Sequence, residues 1–351
     1  MYFLSHLGLI FFMYPTEIIA STGEGHWIPI MIGVIAHFII LIIYLKGLDF
    51  FPNQNLISIY LHGIGKGGSA LFLLPAALYV FILTIITIRA NAEIINIILL
   101  SKTPIWSIMA LLIIIAAYLA AQGVEAIFRT GVLLTFLFLP LVLCVLLFSF
   151  QNVDWHYIFP LIDVQFSFIS DINFLKSFFA FSGGLLFLGF VQPHLHYQRK
   201  NVLLAAIFLI PFFLLSVYIP LLTFGRATAS TFFLPFVIAL DAVNINWLMF
   251  DRVTLFFLMS LITFIILYLS LVIWKMVKIV NVYIPLKNSV YLLVVLSAMI
   301  YVICLLIPNW EDVETIFTWN TFFRFYIMGV IPLSVYILGI RFRRKSQNEE
   351  M

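Results

Sequence analysis

Charge is what this chain has least of. Only 9% of its 351 residues are Asp, Glu, Lys or Arg, while 64% are hydrophobic. A soluble domain carries close to a quarter of its residues as charges, because its surface must be hydrated. The balance therefore excludes a soluble protein, gives no sign of a nucleic-acid partner, and leaves a polytopic membrane protein. Cysteine is equally scarce. Cys144 and Cys304 are the only two, and both fall inside apolar runs. A disulfide framework and a redox motif are therefore not expected, and both thiols are expected to be small packing residues. There is no Gly-rich loop ending in Lys-Ser or Lys-Thr, no G-x-S-x-G and no H-E-x-x-H. His194 and His196 form an H-x-H beside Tyr197 and Arg199, but no Cys, Asp or further His stands near enough in sequence to complete a metal site. Catalytic residues, metals and cofactors are accordingly not expected. Short alternating strands, the mark of a membrane β-barrel, are missing as well.

What is present is a series of long apolar runs. Crossing about 30 Å of hydrocarbon at about 1.5 Å per residue takes roughly 18 or more residues. Such windows occur at 2–19, 28–47, 69–92, 104–121, 131–149, 174–191, 202–224, 251–274, 289–308 and 322–340. The first has no basic leader and carries Ser5, His6, Pro15 and Glu17, so it reads as a retained helix rather than a signal peptide. With the C-terminus in the cytoplasm, one side receives Lys46, Lys66, Arg129, Arg199, Lys200, Lys275, Lys278, Lys287 and the tail cluster Arg341, Arg343, Arg344, Lys345. The acidic connections holding Glu24, Asp154, Asp163, Asp171, Asp241, Glu311, Asp312 and Glu314 fall on the other. This bias places both termini in the cytoplasm. The connections 150–173 and 225–248 are long and apolar, and re-entrant or interfacial helices are expected there.

Ten spans divide into five and five. Five is odd, so two such halves, about 1–149 and 174–340 with a basic tail at 341–351, would enter the membrane from opposite sides as inverted repeats of a single membrane domain. Spans 1 and 6, at corresponding places, are the ones interrupted by Gly and Pro: Gly8 and Pro15 in one, Gly183, Gly184 and Gly189 before Pro193 in the other. A helix broken in lipid exposes backbone N–H and C=O groups that need protein, water or a ligand. The positive end of a half-helix suits a carboxylate and freed carbonyls suit an ammonium, and an amino acid carries both. The alternative for Gly183 and Gly184 is close helix packing. The expected substrate-binding set is Gly8, Phe12, Tyr79, Ser182, Gly183, Gly184, Thr263 and Tyr268, with Ser260 nearby; the alternative for each Ser or Thr is a bond to the carbonyl one turn back. Glu17, Arg89 and Glu93 are ionisable groups in or near spans and need partners or water. Arg89 and Glu93, four apart, are expected to pair or snorkel. Glu17 is expected to line an access route, carry a proton or snorkel.

Some of these residues also carry a family resemblance. The runs Ile88-Arg89-Ala90-Asn91-Ala92-Glu93 and Leu99-Leu100-Ser101-Lys102-Thr103-Pro104-Ile105-Trp106, then Tyr118-Leu119-Ala120 and Gly123-Val124-Glu125-Ala126-Ile127-Phe128-Arg129, together with Phe51-Pro52 and Phe250-Asp251-Arg252, resemble the B subunits of bacterial spore germinant receptors. The resemblance implies a ten-helix LeuT-like fold of the amino acid/polyamine/organocation superfamily, with spans 1 and 6 broken. It also implies a nutrient-sensing subunit that works with A and C subunits in the spore inner membrane, its ligand held among spans 1, 3, 6 and 8. Two departures stand out: the first break is poor in glycine, and Gly183-Gly184 is followed by Leu185, Leu186 and Phe187 where the family often has an acidic residue. A secondary amino acid transporter coupled to H⁺ or Na⁺ is the alternative on the same fold, and a purely scaffolding subunit is the third possibility.

Overall fold

The computed structural model describes residues 1–163, 166–192, 194, 197–243, 253–286 and 288–349. Pro193, His196, Asp251, Arg252, Lys287 and the end of the second long connection, 244–248, lie outside the described residues. The regular elements among those described are helical. In chain order they are α1 (Tyr2–Ile10), α2 (Met13–Ser21), α3 (Trp27–Asp49), α4 (Leu56–Ile98), α5 (Ile105–Ala121), α6 (Val124–Phe148), α7 (Ile172–Ser177), α8 (Phe179–Ser182), α9 (Phe187–Val191), α10 (Arg199–Ala229), α11 (Pro235–Asp241), α12 (Val253–Tyr283), α13 (Ser289–Leu305) and α14 (Trp310–Glu349). Short 3₁₀ turns occupy part of the connection between α6 and α7.

Among the described residues, seven helical segments are long and apolar enough to cross a bilayer. The pair α1 and α2, bent by 60°, makes an eighth if it is one span. α5 and α13, at 17 residues each, are apolar but shorter. Each expected span overlaps one of these segments, while several ends differ. α4 begins at Leu56, and its first turns are set off from the rest by Gly65 at φ 72° and ψ 175°, a conformation that glycine adopts without steric cost. Gly225, at φ 72° and ψ 161°, separates the last residues of α10 in the same way. α14 runs from Trp310, and its helix continues through the basic residues 341–345 to Glu349, because no glycine or proline follows Gly339 to stop it.

The chain forms two compact units. One comprises Met1–His37, Thr130–Gly183 and Leu204–Ile265; the other comprises Phe38–Arg129, Gly184–Leu203 and Ile266–Met351. In the first, aromatic packing makes the core. The Phe11 ring meets Phe236 at 4.7 Å and Phe257 at 5.1 Å, and Phe181 stacks on Phe213 at 4.4 Å. α11 is therefore buried through Phe236, Val237, Ala239 and Leu240. The connection at 150–173 instead exposes Trp155, Phe159 and Ile162, as an interfacial segment does. α6 leaves Leu133, Phe136 and Leu137 exposed, which marks a lipid-facing helix. Cys144 lies exposed on α6, contrary to its expected packing role, whereas Cys304 is buried.

In the second unit, α4 packs along α14. The Tyr326 hydroxyl donates to the Leu71 carbonyl at 2.9 Å, and Tyr60 is hydrogen-bonded to Ser334. α5 and α13 pack together and against α4, with the Tyr301 hydroxyl donating to the Trp106 carbonyl at 3.3 Å.

Candidate ligand-binding region

The break between α1 and α2 follows from the sequence. Pro15 has no N–H to give the carbonyl of Phe11, four residues back, and its ring would clash with that carbonyl if the helix ran on. The chain responds by leaving helical geometry at Phe12, with φ −102° and ψ −85°, and α2 restarts at Met13. Pro15 then sits in the first turn of α2, where backbone donors have no intrahelical acceptor in any case. Phe11 and Phe12 are both buried.

The stretch at 172–191 behaves differently. α8 ends at Ser182, residues 183–186 form turns, and α9 begins at Phe187. Gly183 (φ −58°, ψ −40°) and Leu186 (φ −61°, ψ −36°) stay right-handed. The Leu188 N–H reaches the Leu185 carbonyl at 3.4 Å, a tighter 3₁₀-type bond. In 172–191, 94% of the most apolar window is buried, so this stretch is shielded from lipid.

The expected binding residues divide between the two units. Gly8, Phe12, Ser182, Gly183 and Thr263 belong to the first, and Gly184, Tyr79 and Tyr268 to the second. Gly8 lets α1 approach α12: a Cβ there would stand 3.2 Å from the Ile265 backbone N. The Ser182 hydroxyl donates to the Phe179 carbonyl at 3.0 Å, Thr263 to Met259 at 2.8 Å and Ser260 to Phe256 at 2.7 Å. These hydroxyls thus satisfy themselves on their own helices, the alternative the sequence left open. Tyr79 and Tyr268 are buried, and the Tyr268 hydroxyl has no hydrogen-bond partner among the described residues.

Other residues gain interest only in three dimensions. Tyr14, two residues past the break, is fully buried against Phe181 and Phe213 at 5.9 and 5.0 Å, and its hydroxyl is unpartnered among the described residues. Tyr2, His6 and His37 cluster in the same unit. His6 Nδ1–H donates to the Tyr2 carbonyl at 2.8 Å, and the Tyr2 hydroxyl contacts His37 Nε2. The signal for Tyr14 was present in the Tyr-Pro pair at the break. His37 had none, because α3 is apolar around its whole circumference.

The ionisable residues turn out to be engaged. Glu17 is buried and pairs with Lys176 at 3.3 Å, joining α2 to α7. Sequence reasoning passed over Lys176. In the second unit Arg89 contacts Glu93 one turn on and donates from Nε to the Ile307 carbonyl at 3.1 Å and from Nη2 to Pro308 at 3.2 Å. A cation at the end of α13 complements the negative end of its dipole, a structural role.

In the connection between α2 and α3, His26 is buried beside Arg226. Burial, helped by the Arg226 charge, lowers its pKa to about 4, while the Thr22 carbonyl and Asp163 oppose the shift. Between about pH 6.5 and 4 the unfolded chain binds a proton at this ring that the fold does not, so stability falls as pH falls through that window, by about 3 kcal/mol in all. Melting curves at pH 7.5 and 4.5 are expected to show a larger loss for the wild type than for His26→Gln. Equal losses would mean that the ring is protonated without penalty.

The helical architecture, the bent first segment and the shielded turn at 183–186 define an integral multi-pass membrane protein. A solved structure titled "Crystal structure of MhsT in complex with L-phenylalanine" superposes on it with a TM-score of 0.67 over 97% of both chains at 11% identity, which shows a shared LeuT-type fold. The profile of the family described as "Spore germination protein" matches residues 1–313, and the chain belongs to that family. No curated protein matches it.

Proposed function

We propose that this protein is the nutrient-sensing membrane subunit of a spore germinant receptor, which binds a small germinant, an amino acid, and transmits a conformational change to A and C subunits in the spore inner membrane. Both termini face the cytoplasm, ten helices are arranged as five plus five inverted repeats, and the chain catalyses no reaction. The observation that carries this reading is the break at Phe11–Phe12 in a member of the spore germination family. In the first unit, Gly8, Phe12, Ser182 and Gly183 supply backbone groups to the ligand, and Tyr14 a hydroxyl that has no hydrogen-bond partner among the described residues. The aromatic surroundings of Tyr14 suit an apolar side chain, and the MhsT structure of the same fold holds L-phenylalanine. Signalling is a population shift, so the ligand must bind one arrangement more tightly, by about 1.4 kcal/mol per tenfold change in ratio.

The test is a thermal-shift screen of the detergent-purified protein against the twenty amino acids, with Gly183→Trp as control. A ligand at 100 times its Kd should stabilise the wild type by about 2.7 kcal/mol. Its effect should vanish in the variant. No stabilisation by any amino acid, alone or in the assembled receptor, would sink the proposal. The second reading, a transporter coupled to H⁺ or Na⁺, is favoured by the shared fold. Accumulation of the same amino acid in proteoliposomes, dissipated by an ionophore, would select it. Glu17 is less suited to carrying a coupling proton while it is paired with Lys176.

A further inference from the structure

The spans α5 and α13 both fall short of the bilayer. At 17 residues each they are about 26 Å long against about 30 Å of hydrocarbon, whereas the seven longer candidate spans run to 20 residues or more. Exposed aromatic residues near the two ends of α5, Trp106 and Tyr118, stand only about 18 Å apart along the helix, and such side chains settle at the two membrane interfaces. A short span is accommodated by thinning the bilayer or by association with other helices. With both short spans packed side by side, the mismatch is concentrated on one face of the second unit. That face carries a groove of about 470 Å³ between the two helices, along which Ile114, Tyr118 and Val294 stand exposed. Ala110, Ala117, Ala121 and Ala298 also line it, and small residues let the backbone of a further helix come close in a membrane. One polar group breaks the apolar pattern. Ser297, the central residue of α13, lines the groove and is 7% exposed, and its hydroxyl has no hydrogen-bond partner among the described residues. Ser260 and Ser270 instead donate to carbonyls one turn back on their own helix. An acyl chain offers no acceptor at mid-depth, whereas a helix offers a side-chain or backbone oxygen, so the orphaned hydroxyl favours protein over lipid as the occupant.

We propose that the groove between α5 and α13 seats one transmembrane helix of a partner protein, with Ser297 donating to an oxygen at the middle of that helix. The fitting helix is apolar, lays a ridge of aliphatic side chains into the groove, and carries a Ser, Thr, Asn or Gln, or a freed carbonyl, at mid-depth. A second copy of this chain fits less well. A two-fold dimer would set groove against groove, and two concave faces do not interdigitate. Every lining residue lies in the second unit and none belongs to the proposed amino acid site, so the inference stands or falls apart from the ligand reading.

The test is photocrosslinking from p-benzoylphenylalanine placed at Val294 of the full-length protein, in membranes of cells that produce it with its natural partners, the adduct being mapped by peptide mass spectrometry. The expected adduct is a transmembrane peptide of a different protein. Ala117→Phe fills the groove and should cut the yield about tenfold, as overpacking does. Ser297→Ala should cut it about threefold or more, the worth of a modest hydrogen bond. Because Ser297→Ala removes only an unpartnered hydroxyl, the purified variant should melt at or above the temperature of the parent, so that loss of the adduct reports on the contact and not on the fold. The same crosslinker at Phe136, exposed on α6 in the first unit, should give no such adduct. Lipid adducts alone, a homodimer, no adduct at all, or a heterologous adduct that survives either substitution undiminished or forms equally from Phe136 would overturn the proposal.

Discussion

Lys176→Met is expected to destabilise the protein by about 3–5 kcal/mol, the usual result of leaving one member of a buried ion pair behind. Glu17 is 4% and Lys176 7% exposed, so water cannot take the place of the missing partner. The double variant Glu17→Leu with Lys176→Met should recover most of the loss, since well-packed apolar residues often match or exceed a buried pair in stability. Thermal melting of the two single variants and the double variant forms a cycle, and a coupling below about 0.5 kcal/mol would mean that the two residues act independently. The pair also has a functional consequence. It ties α2, which follows the break, to α7, which leads into the turn at 183–186. A conformational change that moved one against the other would have to break it. The double variant should therefore fold but respond to ligand with altered affinity, measurable in the same thermal-shift titration.

Gly47→Leu is expected to prevent folding, and Gly47→Ala to cost about 1–3 kcal/mol by overpacking. A Cβ at Gly47 would stand 2.8 Å from the Tyr336 backbone N and 3.0 Å from its Cα, and backbone cannot swing aside as a flexible side chain can. α3 and α14 would have to separate there. Gly67→Ala on α4 is the control, because a Cβ there meets nothing within 4 Å. It should be neutral or stabilising by up to about 1 kcal/mol through helix propensity. Expression and melting temperature of the three variants decide the matter. A Gly47→Ala variant as stable as Gly67→Ala would show that the contact can relax.

How much of this could be read from the chain differs from residue to residue. The break at Phe11–Phe12 was legible because proline acts locally, through its missing N–H and its clash with the carbonyl four residues back. The Arg89 and Glu93 pair was legible for the same kind of reason, a spacing of four on one helix. The burial of α11 was not. A seven-residue apolar helix looks the same in sequence whether it is interfacial or re-entrant, exposed or buried, and the rings of Phe11 and Phe257 that cover Phe236 lie outside the helix itself. The roles of Ser260 and Thr263 were half legible. Their hydroxyls could always bond back to their own helix, and only the fold showed that they do.

The sequence by itself determined the class of protein, the family and the positions of the apolar helices, because these depend on composition, local periodicity and residues a few places apart. The tertiary structure alone decided which charges are neutralised and which polar groups are left over. Glu17 meets Lys176 from far along the chain, and the Asn320 carboxamide is buried without a hydrogen-bond partner among the described residues. Helices that are hydrophobic all round carry no moment that says which face turns inward, so the partners of a buried polar residue are fixed only when the helices pack.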